Sequence, residues 1–163
     1  MIYFKRFIAF FFRLKIKKQC LSYGKDLKVN GYSTCTNKTI LGNNISFNGM
    51  KIAGCGNVII GDNFHSGTEC QIISEIHNYE GRKIPYDETY ISKNIIIEDN
   101  VWLGNRVMIL GSVKIGEGVI IQAGSVVVKD IPAFSIAGGH PAEVFSQRDI
   151  EHYKALKINK LFH

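Results

Sequence analysis

The 163-residue chain has only three prolines and one tryptophan, and its apolar stretch Phe7 to Phe12 is just six residues long. Crossing a bilayer takes about 20 apolar residues, so that stretch excludes itself as a transmembrane helix. A secretory signal needs a longer apolar stretch before a small-residue cleavage site, and Arg13-Leu14-Lys15-Ile16-Lys17-Lys18 supplies neither. The expected location is the cytoplasm, with the inner face of the membrane left open as the place of work.

Acidic residues are missing from residues 1–18, where Lys5, Arg6, Arg13, Lys15, Lys17 and Lys18 stand unopposed. The net charge of +6 belongs to this segment, because the remainder balances at 14 basic against 14 acidic residues. Without a stacking platform or zinc-finger spacing, the excess gives no support to nucleic-acid recognition. Two readings of residues 1–18 stay open: an aromatic, basic helix in peripheral contact with an anionic membrane, or one packing its aromatic side on the body or another subunit. Also missing is any CxxC pair: Cys20, Cys35, Cys55 and Cys70 stand 15, 20 and 15 residues apart without paired histidines, which predicts buried reduced thiols and no metal.

What is present is a repeat. Aliphatic residues recur every six positions at Ile97, Leu103, Ile109, Ile115, Ile121 and Val127, and a second ladder follows at Val101, Val107, Val113, Val119, Ser125 and Ile131. On a helix a six-residue step turns about 600°, so these positions would spiral instead of forming a stripe. Between them, Asp99-Asn100, Asn105, Glu117-Gly118 and Ala123-Gly124 favour tight corners. Each hexad therefore reads as a short strand and a corner. The first half repeats more loosely as Val29, Cys35, Leu41, Phe47 and Ala53, then slips by one residue to Ile60, Ser66 and Ile72. Three short faces make one triangular coil, and stacked coils pair their strands in parallel, which predicts an all-β solenoid of four to five coils. The expected organisation is a helical segment over 1–24, a β-helix over 25–145 interrupted by an excursion loop over 73–96, and a C-terminal helix over 146–163. A long excursion from a compact solenoid points to function.

Ile60-Gly61-Asp62-Asn63, Leu103-Gly104-Asn105-Arg106-Val107 and Ile115-Gly116-Glu117-Gly118-Val119 resemble the hexapeptide repeats of left-handed parallel β-helix acyltransferases. His77, followed after the excursion by Asn100-Val101-Trp102-Leu103-Gly104, looks like the arrangement in galactoside, maltose and xenobiotic acetyltransferases. The resemblance implies a left-handed winding, a homotrimer with sites between subunits, acetyl-CoA as cosubstrate and His77 as catalytic base. It further implies a backbone N–H near Gly104 or Asn105 as oxyanion donor, and Trp102, Ala123 and Gly124 along the cofactor. Lys129 and Arg148 are the candidates for the CoA phosphates. Asn48, Glu69, Asn78 and Tyr79 are the candidates for the acceptor. Ala137-Gly138-Gly139-His140-Pro141-Ala142 resembles the family's cofactor-side signature, and His140 and Glu143 depart from the pattern there.

Histidine suits the role of base, because an imidazole with an ordinary pKa near 6.5 can take the proton of a hydroxyl as it attacks the thioester. No Ser or Cys sits in a nucleophile motif, which favours direct transfer over an acyl-enzyme. The expected acceptor is a hydroxyl of a sugar or of a cell-surface polysaccharide precursor. N-acetylation of an amino sugar or nucleotide sugar, acetylation of an antibiotic, and a non-catalytic binding solenoid are the other readings. Zinc-dependent hydration of carbon dioxide on the same scaffold would need three histidines around one metal, and the loop offers only His77.

Overall fold

A computed structural model describes the backbone of residues 2–163 and the side chains of residues 6–163; the side chain of Lys5, counted among the N-terminal cations, lies outside this range. The hexads form short parallel strands on three faces of a left-handed prism. The first face stacks Ser22–Tyr23, Thr39–Leu41, Val58–Ile60, Ile95–Ile97 and Val113–Ile115. The second stacks Lys28–Gly31, Ser46–Asn48, His65–Thr68, Trp102–Leu103, Ile120–Ile121 and Ser135–Gly139, and the third Lys51–Ala53, Gln71–Ile73, Met108–Leu110 and Val126–Val127.

Within a strand the side chains alternate, so Ile95 and Ile97 point inward while Ile96 faces solvent. Register then does the rest: Ile60, Ile97 and Ile115 align on the first face, and Ile72, Ile109 and Val127 on the third. All twelve residues of the two ladders between Ile97 and Ile131 are buried. Each aliphatic member contributes about 1.5–3 kcal/mol by leaving water. One corner is tied by an asparagine ladder, with Asn44 Nδ2 donating to Asn63 Oδ1 (3.0 Å) and Asn63 Nδ2 donating to Asn100 Oδ1 (2.9 Å). Asn44, Asn63 and Asn100 all have positive φ there, which asparagine tolerates better than most residues.

Early in the prism the expected phase needs correction. Ile52, not Ala53, points inward, and it aligns with Ile72. The step from Phe47 to Ile52 is one residue short, and the wider corner through Gly54-Cys55-Gly56 overshoots on the way to Ile60, which leaves the one-residue slip. The tight corner is turned by Gly49, whose φ of 91° a side chain would resist.

Helix α1 (Ile2–Gln19) lies over the first coil, burying Ile16 and packing Phe12 against the core. At the other end Ala142–Gln147 folds back antiparallel on Ser135–Gly139. Helix α2 is correspondingly shorter than the expected 146–163: it spans Ile150–Ile158, because Gln147 still pairs with Ser135 and Asp149 caps the helix by accepting from His152 N–H (3.0 Å). Of its large apolar residues Ile150, Tyr153, Leu156 and Ile158, only Tyr153 is buried. The four cysteines are free; Cys35 and Cys70 are buried as expected, whereas Cys20 and Cys55 are only half-buried. Burial, reinforced by neighbouring Cys20, pushes the Cys35 thiol up to about 12.

Candidate active site

The excursion is an arm, not a loose loop. Glu75–His77 pairs antiparallel with Tyr90–Ser92, so that His77 stands directly opposite Tyr90. The imidazole stacks on Tyr86 at 3.8 Å between centroids and meets the Tyr90 ring at 4.6 Å. Two aromatic faces thus set the orientation of an exposed ring. Beyond it the tip is closed by Asp87, which accepts from the N–H groups of Arg82 (3.0 Å) and Thr89 (2.9 Å) and from the Thr89 hydroxyl (2.5 Å). Those donors, the Thr89 hydroxyl first, hold the Asp87 carboxyl below its ordinary pKa.

Asn78 is spent on the same closure: its Oδ1 accepts from Glu80 N–H (3.2 Å) and its Nδ2 donates to Thr89 Oγ1 (3.1 Å). Tyr79 beside it is exposed. Asn48 also serves the scaffold, donating to Ser66 O (2.6 Å) and accepting from Asn30 Nδ2 (3.1 Å). Glu69 is paired with Arg106 (2.8 Å) on the surface, and that bond lowers its pKa.

On the second face a cleft of about 360 Å³ brings together four of the expected cofactor residues, Trp102, Gly104, Asn105 and Ala123. Its remaining wall, including Gln122, Ile136 and Phe145, had no sequence signal beyond the repeat itself. Small residues keep the floor flat: a Cβ on Gly104 would stand 2.5 Å from the Ala123 nitrogen. Gly124 turns the adjoining corner at φ 74° and donates to Asn105 O (2.8 Å). The Gly104 N–H is already bound to Ile121 O (2.8 Å), and the Asn105 side chain accepts from Thr68 N–H (2.9 Å). Gly104 is therefore corrected as an oxyanion donor, because its N–H is consumed by coil stacking.

Lys129 and Arg148 lie outside this cleft. Lys129 is held by both carboxylate oxygens of Glu143 (2.6 and 2.7 Å), the residue that departs from the family pattern. Arg148 donates from Nε to Gly118 O (2.6 Å) and lies over the Tyr153 ring at 5.3 Å. It lines a second cleft of about 510 Å³ with His65, Trp102, Tyr153 and His163, so Trp102 divides two clefts on one face. Burial first, then the nearby charges of His163 and Lys28, lowers the His65 pKa.

His77 lines neither cleft. Its arm leaves the prism where the third face hands over to the first, between Ile73 and Ile95, whereas Gly104 and Asn105 form the corner between the second and third faces. His77 and the Trp102 cleft of one chain therefore stand at different edges. Among the described residues no group of three His, Cys, Asp or Glu stands together as a metal site.

The bacterial transferase hexapeptide model of six repeats matches residues 94–129. A hexapeptide-repeat acetyltransferase of Vibrio cholerae, solved with acetyl coenzyme A, superposes with a TM-score of 0.72 at 28% identity, covering 82% of this chain and 74% of that one. A galactoside acetyltransferase in complex with coenzyme A gives 0.72 at 28% identity over 83% of this chain and 70% of the other. This chain thus carries hexapeptide repeats over residues 94–129 and resembles left-handed β-helix acetyltransferases in fold. A maltose O-acetyltransferase of Clostridium difficile 630 is similar too, with a TM-score of 0.63 at 26% identity over 78% of this chain and 67% of the other. A Schizosaccharomyces pombe protein provisionally named an acetyltransferase is 39% identical over 88 residues, which are 53% of this chain and 41% of that protein. The chain thus spans less than half the length of this curated relative.

Proposed function

We propose that the protein is an enzyme transferring the acetyl group of acetyl-CoA to a hydroxyl of a sugar or of a cell-surface polysaccharide precursor, with His77 as general base. The carrying observation is the arm, a two-stranded sheet separate from the faces of the prism, which packs the His77 ring against Tyr86 and Tyr90. The relatives solved with acetyl coenzyme A or coenzyme A support the donor, and the galactoside and maltose enzymes support a sugar hydroxyl as acceptor.

His77 takes the proton of the acceptor hydroxyl as its oxygen attacks the thioester carbonyl carbon. The tetrahedral intermediate collapses with cleavage of the carbon–sulfur bond, and the imidazolium returns the proton to the departing thiolate. With Gly104 N–H consumed, the Asn105 N–H is the remaining backbone donor for the developing oxyanion. The flat floor at Gly104, Ala123 and Gly124 admits the amide-bearing pantetheine arm. Because base and cleft stand at different edges, the site is completed in a homotrimer in which one subunit's arm meets a neighbour's Trp102 cleft. The expected location is the cytoplasm, where acetyl-CoA is available.

Purified protein incubated with acetyl-CoA and a panel of sugars, nucleotide sugars, amino sugars and oligosaccharides, read by mass, tests the activity and separates O- from N-acetylation. His77→Ala is expected to retain acetyl-CoA binding by calorimetry and to lose turnover by about 10²- to 10⁴-fold. Unchanged turnover would remove His77 as the base, and an absence of saturable acetyl-CoA binding would favour the binding solenoid.

A further inference from the structure

Helix α1 has two apolar sides, and the fold uses only one. The inner side carries Phe12 and Ile16 onto the first coil. On the opposite side Phe7, Phe10, Phe11 and Leu14, spaced i, i+3, i+4 and i+7, are 61%, 45%, 52% and 37% exposed. Their rings form one continuous patch, with Phe7 and Phe11 4.9 Å apart and Phe10 and Phe11 5.7 Å apart. Four large apolar residues on one helical stripe are more than the scattered exposure a soluble surface ordinarily shows.

The border of the stripe is cationic. Arg6, Arg13 and Lys17 follow one edge at spacings of seven and four residues, and no acid occurs in the chain before Asp26. Arg13 lies over the Phe10 ring at 5.6 Å, Lys17 over Tyr23 at 4.8 Å and Lys15 over Tyr32 at 3.9 Å. The cations are thus held beside aromatic rings at the rim. No described helix is long and apolar enough to cross a membrane.

We propose that α1 docks the protein on an anionic phospholipid surface, with Phe7, Phe10, Phe11 and Leu14 entering the boundary of headgroups and acyl chains and the bordering arginines and lysines meeting lipid phosphates. The inner side fixes the helix flat on the end of the solenoid, the attitude an interfacial helix requires. Charge chooses this occupant over a second copy: two such patches face to face would bring rows of like cations together with no acid between them. Tyr23 and Tyr32, both exposed beside the helix, suit the polar depth of the interface.

The full chain is sedimented with vesicles of phosphatidylcholine, with and without phosphatidylglycerol, at low and high salt. Binding is expected only with phosphatidylglycerol, and Arg6→Gln or Lys17→Gln should each weaken it about five-fold at low salt. The double variant Phe7→Ser/Phe11→Ser should lose it by more than about ten-fold while keeping its circular dichroism and its mass in solution. No binding to phosphatidylglycerol vesicles at low salt, or binding unchanged in the double variant, overturns the proposal. So does a fall in that variant's mass in solution, which would make the patch a contact between copies.

Discussion

Gly104 owes its place to steric room before chemistry. The hexad brings its Cα so close to the next coil that a methyl group would collide with the backbone of Ala123, not with a side chain able to move. Gly104→Ala is therefore expected to cost about 1–3 kcal/mol of stability through overpacking, measured by denaturant unfolding. The same methyl group would raise the cleft floor and weaken acetyl-CoA binding. Full stability in that variant would show that the coils separate more easily than this spacing implies. His77 differs in kind, since its surroundings are two aromatic rings that orient it and leave it exposed.

Helix α2 is fastened to the prism by Glu117, whose carboxylate accepts from the Tyr153 hydroxyl (2.8 Å) and from the Lys157 ammonium (2.5 Å). Burial alone would raise the Glu117 pKa, but the Lys157 and Tyr153 hydrogen bonds outweigh it and hold the group below its ordinary value. A pKa depressed in the folded state contributes stability that is complete above the unfolded value, near 4.3, and is lost as pH falls through the folded value. The α2 contact should accordingly loosen in acid below the usual glutamate range, and Glu117→Gln should abolish that dependence while costing about 1 kcal/mol at neutral pH, discounted for the half-exposed Lys157. Trp102, the chain's single tryptophan, lines the cleft beside Tyr153 and Leu156, so its fluorescence reports the loosening. A transition at the same pH in the variant would assign it to another group.

At the scale of the whole molecule, the separation of arm and cleft implies division of labour between subunits in the proposed trimer. Mixed trimers test it: His77→Ala chains lack the base, Trp102→Ala chains lack a wall of the cleft, and each alone should be nearly inactive. Co-assembled at equal ratio, roughly a quarter of neighbouring pairs join an intact arm to an intact cleft, and activity should return toward that level. No recovery in verified mixed trimers would place base and cleft in one chain.

The inward ladder was legible in the sequence from Ile97 to Ile131, because a six-residue period leaves the chain few ways to bury those residues together. The arm that carries His77 was legible because the repeat breaks around it. Less was legible where one residue serves two geometries: Ile52 and Ala53 exchange places because Gly49 turns its corner early, a decision made by backbone dihedral and not by hydrophobicity. Lys129, Arg148, Asn48 and Asn78 are candidates by resemblance and rough position, and the folded chain gives each a partner that the sequence keeps far away or unmarked. The sequence by itself determined the prism, since period and side-chain size act locally and repeat. Only the tertiary structure decided which N–H groups coil stacking consumes, which side of α1 faces outward, and that arm and cleft stand at separate edges, because those follow from how distant coils meet.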